Sequence, residues 1–233
     1  MTRWGYAAIA VTVALFVAAV GAHVTLADKL PDKVPTHWDL HGQVNGWTDK
    51  DQTFMIFYLV PTITAGVVAL GLLILPAISP ANFAVEPFRR VYDYAFFLIA
   101  VLFAFLYGLI QTAQLTGTFA SARWMIAGFF VFFALIGNVL GKVKRNFWLG
   151  VRTPWTLADP QVWDRTHRVA AWLYVVVGIV GAIAALAGVN PVACFVFLLV
   201  GALAPVFHSL VLYKRLQREG KLEAQRQLTV AQE

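Results

Sequence analysis

The chain has 233 residues, of which 60% are hydrophobic and only 13% carry a charge, with a mean hydropathy of +0.70. Soluble domains carry about 25% charged residues, so this composition excludes an ordinary soluble domain and indicates a membrane protein. The net charge of +6 is explained by basic residues that gather on the cytoplasmic side of membrane proteins. We therefore predict no direct binding to nucleic acid.

Uncharged runs long enough to cross a bilayer recur along the chain, since a helical crossing needs roughly 20 apolar residues. They predict an all-α bundle of six membrane-spanning helices. The expected spans lie at 4–27, 54–75, within 94–122, at 124–141, and twice within 169–213. The first run could instead be a signal peptide, but its apolar part exceeds the roughly 7–15 residues of such a core, so we expect it to be retained.

The last run is too long for a single crossing and contains its own boundary. Gly188 is expected to close one helix, Asn190 to cap the next, and Pro191 to occupy the first position of that helix. This division brings the number of predicted spans to six.

The distribution of basic residues predicts the orientation. All but four of the eighteen Lys and Arg residues fall on the side that carries both termini; the exceptions are Lys29, Lys33, Lys50 and Arg123. Because basic residues concentrate in cytoplasmic segments, we expect both termini to be cytoplasmic. The same rule places the segment 141–168, called the basic loop from here on, in the cytoplasm.

The basic loop joins the fourth and fifth spans and combines basic with tryptophan residues. Its Lys and Arg residues are Lys142, Lys144, Arg145, Arg152, Arg165 and Arg168. The first three directly follow the fourth span, where contact with lipid phosphates is the expected role. Asn138 lies at the end of that span, where a buried amide would need a hydrogen-bonding partner.

Two proline motifs shape the rest of this loop. Pro154 should hold Thr153 in an extended conformation. Asp159 followed by Pro160 is typical of a helix cap and a first-turn proline. The fifth helix is therefore expected to begin before it enters the membrane.

The start of this fifth helix has two distinct faces. Trp163, His167, Ala170 and Tyr174 recur at three- and four-residue steps and share one face. On another face Asp164 and Arg168 are spaced for an ion pair. Arg152 and Arg168 would need partners if they turned inward, because a buried unpaired charge is costly. The pattern fits a structural clasp and a binding site equally well.

The loop between the first two spans is expected on the outer side. Asn45-Gly46 predicts a tight turn, and we expect a compact loop that caps the bundle with His37 and Trp38 packed inward. His37 and His41 are a possible metal pair, but a zinc site needs three or four ligands. We therefore expect no metal or other cofactor.

The basic loop and its flanks resemble the signature of the SdpI family of bacterial membrane proteins. The matching residues are Asn138, Lys142, Lys144, Asn146, Gly150, Arg152, Thr153, Pro154, Trp155, Thr156, Leu157, Trp163, Thr166, His167 and Arg168. The outer loop is similar to a second domain that often precedes this signature, with a P-x-H-W-(x)3-G-(x)3-G pattern. Its matching residues are Pro35, His37, Trp38, Gly42 and Gly46.

This resemblance implies a two-span unit at 1–92 followed by a four-span SdpI-like unit at 93–233, in the cytoplasmic (inner) membrane of a bacterium. It further implies an immunity protein that binds or neutralises a membrane-active toxin peptide and could tether a cytoplasmic repressor protein. The implied ligand- or partner-binding residues are Asn138, Asn146, Arg152, Thr153, Trp155, Thr156, Trp163, His167 and Arg168, with His37, Trp38, Gly42 and Gly46 in the outer loop.

Two other classes of function stay open on the sequence alone. A transporter or channel for a small solute or lipid would use polar residues in the spans, for which the candidates are Gln111, Gln114, Asn138 and His208. A membrane enzyme would use His167 with Arg152 and Asp164, or a metal on the outer histidines. The sequence carries no HExxH or GxSxG motif, so we predict that the protein is not an enzyme.

Overall fold

The structure is a computed structural model that describes residues 1–39, 42–117 and 122–222. Within these ranges, six helical segments are long and apolar enough to span a membrane, which confirms the predicted all-α membrane fold. They run over Arg3–Lys29, Phe54–Ala77, Ala81–Thr116, Arg123–Leu140, Pro160–Leu186 and Pro191–Arg218.

The helices follow the predicted spans closely, whereas the two strands were not predicted. The first span contains α1 (Arg3–Leu26). The second span contains two α-helical segments, α2 (Leu59–Ala69) and α3 (Leu75–Ala77). A π-helical segment precedes each of them, at Phe54–Tyr58 and Leu70–Ile74. The other helices are α4 (Arg89–Thr116), α5 (Ala122–Leu140), the short α6 (Pro154–Ala158), α7 (Pro160–Leu186) and α8 (Pro191–Arg218). Two strands, β1 (Lys33–Trp38) and β2 (Val44–Asp49), form an antiparallel hairpin between the first two spans.

The spans pack as two groups of three. The first group is α1, the second span and α4, the second group is α5, α7 and α8, and α4 contacts α5. The basic loop lies at one end of this bundle, called the loop side, and the β-hairpin lies at the other, the hairpin side. The predicted boundary between units at residue 92 stays a prediction, because α4 packs on both groups.

Glycines allow α5 and α7 to approach closely. A Cβ built at Gly178 would lie 2.6 Å from the Cβ of Ala134, and one built at Gly181 would lie 2.1 Å from the Phe130 ring. Close backbone approach through small residues is a common way for membrane helices to associate. The tight α5–α7 pair fixes the two ends of the basic loop that connects them.

Two proline residues interrupt the second span, and side chains of α4 donate hydrogen bonds to backbone carbonyls near them. On the hairpin side, Pro61 has no N–H to offer the preceding turn, and the carbonyl of Ile56 accepts a hydrogen bond of 2.8 Å from Nε2 of Gln111. The same nitrogen also donates to Oε1 of Gln114 at 3.1 Å. Gln111 therefore has a structural partner in the bundle.

The same arrangement recurs on the loop side around Pro76. The Tyr92 hydroxyl donates to the carbonyl of Gly71 at 2.8 Å, and Nη2 of Arg89 donates to the carbonyl of Leu72 at 2.9 Å. Buried backbone carbonyls need partners, so these two bonds stabilise the end of the second span. They also fix it to the start of α4.

Arg89 also forms a buried ion pair. Its Nε lies 2.7 Å from Oδ1 of Asp93, whose side chain has no exposed surface. Oδ2 of Asp93 accepts a second bond, also 2.7 Å, from the backbone N–H of Thr2. The carboxylate thus fastens the beginning of α1 to α4.

The division of the last apolar run is confirmed. α7 ends at Leu186, Gly188 adopts a φ of +82°, and α8 begins at Pro191. Oδ1 of Asn190 accepts bonds from the first backbone N–H groups of α8. These are the closing and capping roles predicted from the sequence.

The predicted tight turn at Asn45-Gly46 is wrong. Both residues lie within β2, where Gly46 pairs with His37 of β1. The chain reverses earlier, at Gly42, whose φ is +80°. Gly46 instead permits close approach of the strands, since a Cβ there would lie 2.9 Å from Cβ of His37.

The predicted inward packing of His37 is also wrong. His37 is exposed and its Nδ1 bonds to Oδ1 of Asn45, while Trp38 is half-buried. Val34 takes the inward position because it can pack on Leu30 and other apolar residues of the first two spans. His41 lies outside the described residues, and among those described no three metal-binding side chains cluster.

Two exposed ion pairs connect the strands and their flanks. Nζ of Lys33 lies 2.6 Å from Oδ1 of Asp49, and Nζ of Lys50 lies 2.6 Å from Oδ1 of Asp32. The hydrogen bond from Lys50 lowers the pKa of Asp32 below its usual range. Exposed pairs of this kind add little stability, so the hairpin depends chiefly on Val34 and its neighbours for its position.

Candidate functional site

The basic loop is folded and packed against the bundle, and Asn146 organises its first half. The Asn146 side chain is fully buried. Its Oδ1 accepts bonds of 2.7 Å from the backbone N–H groups of Trp148 and Leu149, and its Nδ2 donates to the carbonyls of Lys144 and Leu149. These four bonds use the full capacity that an amide normally offers, so Asn146 fixes the turn of the loop.

His167 connects the loop to α7 through both ring nitrogens. Its Nε2 accepts a hydrogen bond from the backbone N–H of Val151 at 3.0 Å, so Nδ1 carries the proton and donates to the carbonyl of Trp163 at 2.8 Å. The rings of Trp163 and His167 stack with centroids 4.0 Å apart. Nε1 of Trp163 donates to the carbonyl of Val143 at 2.8 Å. Both side chains are almost completely buried.

Gly150 is required at the point where the loop passes the histidine. Its φ is +112°, a region that other residues rarely adopt. A Cβ at this position would lie 2.2 Å from Nε2 of His167. The glycine therefore permits both the backbone conformation and the bond between Val151 and His167.

A threonine pair starts the short helix α6. Thr153 is extended, as predicted, and its backbone N–H donates to Oγ1 of Thr156 at 2.9 Å, while the Thr156 N–H donates to Oγ1 of Thr153 at 3.3 Å. This reciprocal arrangement is a capping box. Asp159 then caps α7 as predicted, with its Oδ1 accepting from the N–H groups of Gln161 and Val162.

Trp155 fixes α6 to the last span. Its Nε1 donates to Oγ of Ser209 in α8. The indole also packs against an apolar cluster that includes Val162, Leu212 and Leu216. The loop is therefore fastened to α8 as well as to α5 and α7.

The first half of the loop contacts residues 78–88, the connection between α3 and α4. Nε1 of Trp148 donates to Oγ of Ser79 at 2.5 Å, and the rings of Phe147 and Phe83 lie 4.2 Å apart. The Arg145 guanidinium lies 5.3 Å from the Phe83 ring. The loop thus bridges the two groups of helices.

The two arginines among the predicted site residues lie on the surface. Arg152 is exposed and donates to the carbonyl of Phe147, and Arg168 is exposed on the first turns of α7. Asp164 and Arg168 form no ion pair within the described residues, as is common for charges that water solvates well. Asn138 is exposed, so the expectation of a buried amide there is wrong; Gly137 faces α7 instead.

Comparison with known proteins identifies this region. Residues 142–212 match the SdpI/YfhL protein family. This segment of the chain is therefore similar to the SdpI/YfhL family. Residues 14–64, which include the β-hairpin, match a domain of unknown function, DUF1648.

A curated relative matches part of the chain. Immunity protein SdpI of Bacillus subtilis (strain 168) is 38% identical over 53 residues, which is 23% of this chain and 26% of that protein. The match therefore spans about a quarter of the relative's length. No solved structure matches the chain.

Within the SdpI match, the predicted site residues separate into two sets. The structure brings the first set together as a buried network; its members are Asn146, Thr153, Thr156, Trp163 and His167. Arg152 and Arg168 remain on the surface, and the half-buried Trp155 faces α8. His37, Gly42 and Gly46 belong to the hairpin at the opposite end of the bundle.

A surface cavity of about 420 Å³ adjoins the buried network of the SdpI match. Lys144, Arg145, Trp163 and Asp164 line it on one side, and residues 81–87 of the connection between α3 and α4 line the other. Sequence reasoning missed the contribution of this connection, including Ser79 and Phe83. A single serine and a single phenylalanine give no local indication that a distant loop packs on them.

Proposed function

We propose that this membrane protein belongs to the SdpI family and confers immunity to a membrane-active toxin peptide. The main support is that the curated relative is named an immunity protein and that the segment similar to the SdpI/YfhL family, residues 142–212, contains most of the folded loop. The arrangement of His167 also favours a structural over a catalytic role. Both of its ring nitrogens are engaged by the backbone, which leaves it no free base.

We further propose that the loop side faces the cytoplasm of a bacterium, in its inner membrane. Three hydrogen bonds bring the most basic segments to this end of the bundle. They join Thr2 to Asp93, Trp148 to Ser79, and Trp155 to Ser209. Basic segments of membrane proteins are retained in the cytoplasm. Arg123 and the lysines of the hairpin region are the basic residues of the opposite side.

In this proposal the rigid loop presents Arg152 and Arg168 to a soluble cytoplasmic regulator, while the membrane-embedded part meets the toxin peptide. The buried network is the observation that carries this proposal, since a fixed backbone holds exposed arginines in one geometry. Preorganisation of this kind increases affinity because less freedom is lost on binding. A flexible loop of the same charge would attract the regulator only nonspecifically.

The test is survival of a bacterium that lacks its own immunity proteins, challenged with secreted membrane-active peptides. Cells that express the protein should survive better than cells with an empty vector. Arg152→Ala should reduce any regulator recruitment measured by membrane co-fractionation, whereas Lys142→Ala, which removes another exposed charge, should not. Equal survival with and without the protein across the peptides would reject the immunity proposal.

A further inference from the structure

A narrow apolar groove runs along the seam between the two groups of helices. It has a volume of about 330 Å³, and its lining side chains are all apolar. Val101 and Phe105 of α4 form one wall, and Trp124, Val131 and Leu135 of α5 form the other. The groove lies between helical segments that are long and apolar enough to span a membrane.

The groove has the depth of one leaflet. Along α5, the distance from Trp124 to Leu135 is about 16 Å at roughly 1.5 Å per residue. The hydrocarbon core is roughly 30 Å thick, so the groove reaches from the hairpin-side surface to about the bilayer centre. A peptide helix, with a diameter of roughly 10 Å or more, would not fit into this volume at that length.

A cationic side chain, Arg123, lies next to Trp124 at the hairpin-side end of the groove. The Arg123 guanidinium lies 5.9 Å from the centre of the Trp124 ring, and both side chains are exposed. In the described part of the chain, no carboxylate pairs with Arg123. Arginine binds phosphate oxygens well, and tryptophan is typical of the headgroup level.

From these three features we infer that the groove binds one phospholipid from the hairpin-side leaflet. One acyl chain lies between α4 and α5, and the headgroup phosphate contacts Arg123. The cation matches the phosphate of such a lipid, and the apolar groove, one leaflet deep, matches its acyl chain. This role also explains why Arg123 lies on the side of the membrane that otherwise carries few basic residues. The inference is independent of the immunity proposal.

The test uses the full-length protein, purified in detergent, stripped of lipid and titrated with dioleoyl phosphatidylglycerol under native mass spectrometry. Val131→Trp fills the groove, and Val180→Trp on α7 is the matched control because both valines are 48% exposed. We expect one tightly retained lipid for the wild type and for Val180→Trp. Val131→Trp should weaken its binding by about tenfold or more.

A second variant separates the headgroup from the acyl chain without altering the core. Arg123→Gln should weaken binding of phosphatidylglycerol by about fivefold or more, because the charged contact is lost. Its binding of dioleoylglycerol, which has no phosphate, should equal that of the wild type. Equal lipid loss from Val131→Trp and Val180→Trp, or unchanged phosphatidylglycerol binding by Arg123→Gln, would overturn the inference. So would a wild-type protein that binds no lipid and dimerises.

Discussion

The backbone N–H of Val151 donates a hydrogen bond to Nε2 of His167, 3.0 Å away and sixteen residues further along the chain. This bond fixes the tautomer of the imidazole and holds the basic loop against α7. Both groups are buried, so neither can exchange its partner for water. The exposed arginines of the loop depend on this contact for their position.

His167→Ala should therefore loosen the loop. It leaves the buried N–H of Val151 without its partner, which should cost about 1–3 kcal/mol, while the carbonyl of Trp163 loses only the side-chain bond that it accepts in addition to its helical one. We expect faster protease cleavage within 141–153 in inverted membrane vesicles and a lower melting temperature in detergent. His208→Ala is the control, because in the described part of the chain Nδ1 of His208 has no partner to lose. Equal protease resistance of wild type and His167→Ala would contradict this role.

Gly150→Ala should destabilise the same contact from the other side. The added Cβ would be strained at a φ of +112° and would collide with Nε2 of His167. Backbone strain of this kind costs roughly 1–3 kcal/mol, and loss of the Val151 bond adds to it. Gly141→Ala is the matched control, since a Cβ there meets its nearest neighbour at an ordinary 3.6 Å. Melting temperatures of the two variants should differ clearly, with Gly141→Ala near wild type.

Local patterns in the sequence predicted much of the fold. The six spans follow from apolar length, and the boundary at Gly188, Asn190 and Pro191 follows from residues that act on their own backbone. The inward face of Trp163 and His167 follows from helical periodicity. Each of these features depends on residues that are close together in the chain, so a single sequence is enough to predict it.

Other features depend on which segments become neighbours. Gly46 could serve a turn or a close approach of two strands, and only the pairing with His37 decides between them. The bonds from Trp148 to Ser79 and from Arg89 to Leu72 join residues that are distant in the chain. No spacing rule predicts such contacts. For this reason the sequence predicted the residues of the buried network but not the connection that packs against them.

Asp93→Ala should strongly destabilise the first group of helices. It removes the carboxylate that accepts from Arg89 and from the Thr2 N–H. Loss of one partner from a largely buried ion pair costs up to about 3–5 kcal/mol, and Arg89, 19% exposed, keeps the Leu72 carbonyl as a partner. Glu86→Gln is the control, because Glu86 is 67% exposed and lies 4.0 Å from Arg89. The free energies of unfolding in detergent should separate the two variants. A loss for Asp93→Ala no greater than that for Glu86→Gln would show that the ion pair is not needed.

Trp155→Phe tests whether α6 is held to α8 by a specific hydrogen bond or by packing alone. The phenylalanine keeps an aromatic ring against Leu212 and Leu216 but cannot donate to Ser209. A double-mutant cycle with Ser209→Ala isolates the bond, whose net contribution should be about 0.5–1.5 kcal/mol. The double variant should then be little less stable than Trp155→Phe alone. Strictly additive losses would mean that the indole contributes through its apolar surface, and that Ser209 stabilises α8 only through its own bond to the Val206 carbonyl.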